Sequence, residues 1–287
     1  MVFKINRAEF SSKEEFIKSG RRCGAPNPSD LQRDRVRREI ASLRQSIKGR
    51  VESVTINVQF HHITRGSEGA ITEEQRKKQM DVLNQAYSRK GIKFTYKPES
   101  VVTVNKPAWF SMGMGSIAES EAKTELQVAP ENNLNIYTAE LQSGLLGWAT
   151  FPFDMAGNPK RDGVVVLYST FPGGDAAPYN EGQTLTHEVG HWLGLYHTFQ
   201  GGCGGMGDEL DDTPSHEGPV FGCPGDGSNG ACNPGEKAPI HNYMNYTDDG
   251  CMNEFTDGQF ERIFDQILTY RSGLLIGPDA IIMENTP

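Results

Sequence analysis

The chain has 287 residues, 36% hydrophobic and 23% charged, a globular composition with room for a large core. Its formal net charge of −9 argues against nucleic acid as the main partner. No apolar run is long enough to span a bilayer, and residues 1–10 lack the apolar stretch of a signal peptide.

Residues 1–49 differ from the rest in being rich in Arg, Lys, Glu and Ser. Pro28-Ser29-Asp30 opens a charged helix predicted over 30–47. Leu31, Val36, Ile40 and Leu43 give it a thin apolar stripe that needs another surface to lie on. Val54, Ile56, Val58 and Phe60 then alternate with Thr55, Asn57 and Gln59, the period of a half-buried strand. Residues 72–88 read as an amphipathic helix capped by Thr72, with Glu74 in its first turn. Strands follow over 92–96, 101–104, 134–137 and 164–168; the last is apolar throughout and belongs inside a sheet. A second long helix is predicted over 184–195 and a final one over 256–270, carrying Phe260, Ile263, Phe264 and Ile267. Between them, at 201–239, Gly and Pro concentrate and regular signals fade. This order describes an α+β protein, a twisted mixed sheet with helices packed on it.

The densest chemical signal is His187-Glu188-Val189-Gly190-His191, followed by Gly194 and His197. Histidines at i and i+4 share one helix face and can bind one ion. Glu188 lies beside the first of them, placed to act as a general base on a water. Gly194 can take a left-handed conformation, end the helix and bring His197 back as a third ligand. Three protein ligands leave a position open, the mark of a catalytic rather than a structural zinc site. A zinc-carrying binding module that has lost catalysis is the competing class; its usual mark is a replaced glutamate, and Glu188 is intact.

Four of the five cysteines, Cys203, Cys223, Cys232 and Cys251, lie in or beside the Gly/Pro-rich stretch. They point to two disulfides and an oxidising compartment, with three connectivities open; Cys23 is left over. In the loop after the zinc helix, Asp208, Glu209, Asp211 and Asp212 crowd four carboxylates together. A hard cation or simple solvation would relieve their repulsion. Residues 145–151 are expected to supply a sheet edge along which an extended peptide adds as a strand.

Asn242-Tyr243-Met244-Asn245-Tyr246 resembles the Met-turn of the metzincin clan, in which Met244 would form an apolar floor under the zinc histidines. The finer resemblance is to the pappalysin family and its ulilysin-like members. It is carried by residues 185–199, by Asp212-Thr213-Pro214, by Asn242-Tyr243-Met244 with Tyr246, Asp248, Asp249 and Cys251, and by Phe255-Thr256 with Gly258-Gln259. These residues span about the C-terminal third. The resemblance implies a metzincin-type zinc endopeptidase, with an active-site helix and a backing helix on the sheet and an irregular C-terminal subdomain that ends in a helix. It assigns Tyr246 to stabilising the tetrahedral intermediate, pairs Cys203 with Cys232 and Cys223 with Cys251, and adds structural calcium, for which Asp208, Asp212 and Thr213 are the expected ligands. It also implies secretion, protein or peptide substrates and a preference for Arg or Lys after the scissile bond. Either Asp248 or Asp249 would set that preference, because Gly250 rather than an acid precedes Cys251.

Arg21-Arg22-Cys23-Gly24 resembles a cysteine switch, in which a thiolate occupies the open zinc position. Residues 1–49 are therefore expected to be an inhibitory pro-segment, followed by catalytic subdomains over 50–197 and 198–287. The junction Ile47-Lys48-Gly49-Arg50-Val51 offers cleavage before Lys48 or Arg50, sites an enzyme with that preference could cut itself.

Overall fold

The computed structural model describes residues 2–5, 8–19, 21–46, 49–225, 230–276 and 281–284. The chain opens with a hairpin of β1 (Phe3–Ile5) and β2 (Ala8–Phe10), then α1 (Lys13–Ser19), an extended passage, and α2 (Asp30–Ser46). The sheet is built around β3 (Gly49–Thr64), whose Val54, Ile56, Val58 and Phe60 are all buried. α3 (Glu73–Tyr87) follows, started by a reciprocal capping box between Thr72 and Gln75. The chain then returns to the sheet as β4 (Ile92–Thr95) and β5 (Val102–Asn105), both parallel to β3.

After α4 (Pro107–Phe110), β6 (Ser111–Met112) and α5 (Ile117–Leu126) comes β7 (Asn133–Leu141), buried along its whole length and parallel to β3. β8 (Gly147–Ala149) runs antiparallel beside β9 (Val164–Leu167), with α6 (Pro152–Met155) between them in sequence. The zinc-motif helix α7 (Gln183–Trp192), α8 (Asp257–Tyr270) and β10 (Ile281–Glu284) complete the fold. The strand order is β10-β3-β7-β9-β8, a mixed sheet with β8 at one end. Among the described residues no helix is long and apolar enough to cross a membrane.

Each sheet face has its own core. On one, Val58, Leu134 and Val164 pack under Leu83 of α3, Val189 and Trp192 of α7, and Ile263 of α8. On the other, Tyr137 and Val165 meet Trp109 and Phe110. Ile5, Phe10 and Phe16 join this second cluster, so the N-terminal hairpin and α1 are part of the packed molecule. Val36, from the thin apolar stripe of α2, finds its surface against Phe151, Phe153 and Tyr196. β3 starts five residues before its alternation does, because residues 49–53 pair with β10 from the far end of the chain. The Gly/Pro-rich stretch contains short turns closed by the disulfides Cys203–Cys232 and Cys223–Cys251, and Cys23 is free.

Candidate active site

α7 is buried on every side from Thr184 to Trp192, so its histidines sit inside the molecule. His187 Nδ1 donates to the Tyr243 carbonyl (2.7 Å) and His191 Nδ1 to the Leu195 carbonyl (2.8 Å). His197 Nδ1 faces the side-chain oxygen of Asn27 (3.3 Å). These oxygens accept only, so each ring carries its proton on Nδ1 and turns a lone pair on Nε2 inward. His191 and His197 bring their Nε2 atoms within 3.0 Å, and buried His187 Nε2 has no hydrogen-bond partner. Lone pairs packed this way repel unless a cation lies among them, so the donor set fits zinc, with oriented imidazoles as ligands. Burial holds all three imidazoles below their ordinary range, with His191 near 4, which favours the neutral form a metal needs.

The bend toward His197 comes from Gly194, at φ +95°, with Gly194 N–H bonded to the His191 carbonyl and Leu195 N–H to that of Gly190. A Cβ at Gly194 would lie 2.4 Å from the Gln266 side chain, so both conformation and space demand glycine. Met244 is fully buried under the helix, its sulfur 2.4 Å from where a Cβ on Gly190 would be. Asn242 fixes the Met-turn by bonding Met244 N–H (2.9 Å) and exchanging two hydrogen bonds with Gln259 of the α8 cap. Tyr246 directs its hydroxyl at His197 Nε2 (3.3 Å).

The N-terminal segment enters the site beside β8. Leu146 N–H bonds the Arg22 carbonyl and Gly24 N–H the Gly147 carbonyl, both at 2.8 Å, so residues 22–24 add a parallel strand to the sheet edge. This places Cys23 Sγ among the histidines: the four candidate ligand atoms all lie within 4.8 Å of one another. Sγ is also 3.4 Å from Glu188 Oε2. Burial pushes the Glu188 carboxyl up to about 8, opposed by Cys23 and Arg22.

Arg22, 2% exposed, extends to the residues that follow the Met-turn. Nη1 donates to the Thr247 carbonyl, Nη2 lies 3.6 Å from Asp249 Oδ1, and Cζ stands 4.7 Å over the Tyr179 ring. Asp249 is buried, its Oδ2 accepting from Glu181 N–H (2.9 Å) and Gln183 N–H (3.3 Å); burial lifts its carboxyl to about 6 against the pull of Arg22. Asp248 lies further out, paired with Lys13 at 2.9 Å. Of the acidic-loop residues, Asp208 and Thr213 come together through a 2.6 Å hydrogen bond. Asp212 is not with them; it accepts from Thr256 Oγ1 and Gly258 N–H at the start of α8.

The family model described as pregnancy-associated plasma protein-A matches residues 121–268. Extracellular metalloprotease 1 of Coccidioides posadasii is 38% identical over 264 residues, covering 89% of this chain and 92% of that protein. The chain belongs to the pappalysin family of zinc metallopeptidases. A second pappalysin relative, the extracellular metalloprotease of Pyricularia oryzae, is 37% identical over 262 residues, 88% of this chain and 90% of that one. Among solved structures, a promirolysin mutant from Tannerella forsythia superposes with a TM-score of 0.74 at 28% identity, covering 88% of this chain and 97% of that one. Mature mirolysin in complex with a cleaved peptide gives 0.70 at 30% identity, covering 78% and 96%. As a pappalysin, the chain is a zinc metalloendopeptidase with a metzincin fold, and its substrates are proteins or peptides.

Several residues around this pappalysin site are not singled out by motif. Asn27 orients His197 from the N-terminal segment, and a Cβ on Gly147 would meet Glu188 Cγ at 2.8 Å. Tyr179 holds its ring against the Arg22 guanidinium, just past the Met-turn. Only Arg22 carried a usable signal: it is a basic residue beside the cysteine, in a chain expected to favour basic substrates.

Proposed function

We propose that this chain is the latent zymogen of a zinc endopeptidase that cuts before Arg or Lys, kept inactive by its own residues 1–49 and released by its own cleavage. Catalytic subdomains over 50–197 and 198–287 then form the mature enzyme, secreted like its named extracellular relatives. The carrying observation is the run Arg22-Cys23-Gly24, which pairs along β8 with Cys23 among the three histidines and Arg22 beside Asp249. The likeness to the pro-form of mirolysin, which covers more of this chain than the likeness to the mature form, supports the same reading.

In the mature enzyme His187, His191 and His197 would hold the zinc, and a zinc there would supply a water of lowered pKa and a polarised scissile carbonyl. Glu188 takes the proton of the attacking water and passes it to the leaving nitrogen. The Tyr246 hydroxyl donates to the oxygen that gains charge. The edge at Gly147 pairs with the extended substrate, and Asp249 draws in the basic side chain that follows the scissile bond, with Asp248 at the rim.

The test is Cys23→Ala, which removes the thiol and leaves the catalytic machinery intact. The variant should process itself faster than the parent chain; equal latency in both would sink the switch. Structural calcium belongs to the same reading, with Asp208 and Thr213 as its ligands and Asp212, engaged by α8, at the margin of the set. Buried Asp208 Oδ2, which has no hydrogen-bond partner, supports it. Calcium should raise the melting temperature of a calcium-stripped sample, and no change would remove calcium from the reading.

A further inference from the structure

We propose that Tyr179 is the residue that makes the pocket just past the Met-turn select arginine over lysine. This rests on the reading that Arg22 sits where a substrate's basic side chain goes. Five groups meet the Arg22 guanidinium, and of the two aromatic rings among them Tyr179 is the nearer, with Tyr246 at 5.9 Å. The Thr247 carbonyl accepts from Nη1; Asp249 Oδ1 and Met252 Sδ each lie 3.6 Å from Nη2; and the Tyr179 ring lies under Cζ at 4.7 Å. Tyr179 is fully buried, and its segment is tied to Asp249 by the 3.2 Å bond from Asp249 N–H to the Pro178 carbonyl.

The carboxylate does not choose between the two basic side chains. Asp249 spends Oδ2 on the backbone of Glu181 and Gln183 and offers Oδ1 alone, so no bidentate fork is available to an arginine. One carboxylate oxygen and one carbonyl serve an ammonium as well as a guanidinium. The flat ring discriminates, because a guanidinium is planar, weakly hydrated and stacks, whereas an ammonium is a compact, strongly hydrated point charge. In a water-poor pocket that face is worth about tenfold in binding.

The experiment compares peptides that differ only in Arg, Lys or Ala after the scissile bond, cut by the mature enzyme and by its Tyr179→Phe and Tyr179→Leu variants. The Arg/Lys ratio of kcat/KM is measured within each protein, so it does not depend on the fraction folded. Tyr179→Phe should keep the ratio and Tyr179→Leu should lower it about tenfold, mainly by loss on the Arg peptide. An unchanged ratio in Tyr179→Leu, with Arg and Lys still preferred over Ala, overturns the inference and leaves the pocket standing. Parent enzyme that cuts the Ala peptide as well as the basic ones overturns the pocket itself. A second readout needs no turnover. In zymogen made inert by Glu188→Ala, Arg22→Lys should lower the melting temperature, and lower it less when Tyr179→Leu is also present; equal shifts in the two backgrounds overturn the inference.

Discussion

Orientation of single side chains decides the chemistry. Each of the three clustered histidines, His187, His191 and His197, is held through Nδ1 by an oxygen that can only accept, and two of those oxygens are backbone carbonyls, at Tyr243 and Leu195. Glu188, the proposed acid–base group, is separate from this set. Glu188→Ala should therefore keep zinc bound while lowering kcat/KM about 10³- to 10⁴-fold, measured as metal content after dialysis beside peptide turnover. His197→Ala should do the reverse, losing metal on dialysis because one of three ligands is gone. Retained activity in Glu188→Ala would end the general-base assignment.

At the scale of elements, the site is the meeting of helix α7 with edge strand β8. Their backbones approach so closely at Gly147 that an added Cβ would lie 2.8 Å from Glu188 Cγ and 2.9 Å from the Val165 carbonyl. Gly147→Ala should therefore push Glu188 off its line. A displacement approaching 1 Å costs about 10²-fold in turnover, here with zinc content unchanged. Normal kinetics in that variant would mean that the edge yields instead. The irregular region depends on a different device. Its two disulfides close loops of sequence separation 29 and 28, and each is worth about 3.6 kcal/mol by loop entropy. A reductant should lower the melting temperature by several degrees, with the loss first visible as proteolytic nicking between 203 and 232.

Across the whole molecule, the proposed activation route involves segments near both ends of the described residues. Lys13 sits on Asp248, Arg22 beside Asp249, Arg33 beside Glu209, and Arg44 forms a bidentate pair with Asp265, so basic residues of 1–49 hold the catalytic part at widely spaced points. Of the two expected cleavage points, Lys48 lies outside the described residues, whereas Arg50 pairs with Met283 in the ladder between β3 and β10. A paired strand cannot add to the enzyme's own edge until it is unzipped. Removing the chain from residue 277 onward should therefore speed the appearance of a mature form beginning at Arg50, followed by N-terminal sequencing over time. An apolar first residue in the mature form would overturn the activation route.

The sequence by itself determined the chemistry and its local supports. His187, Glu188, His191 and His197 are legible because helix periodicity and one glycine fix their geometry within eleven residues. The helix caps at Thr72 and Thr256 and the alternation of β3 are local for the same reason. What the tertiary structure decided is every contact between distant parts of the chain. Arg22 meets Asp249, Asn27 meets His197, Gly147 meets Glu188, and β10 meets the start of β3. Asp212, expected from the family resemblance beside Asp208 and Thr213, instead accepts from Thr256 Oγ1 and from Gly258 N–H, one of the N–H groups in the first turn of α8 that have no partner within the helix. Local rules act through a few residues of backbone. Long-range pairs are selected only when the whole sheet and both its cores are assembled, and no pattern along the chain carries their register.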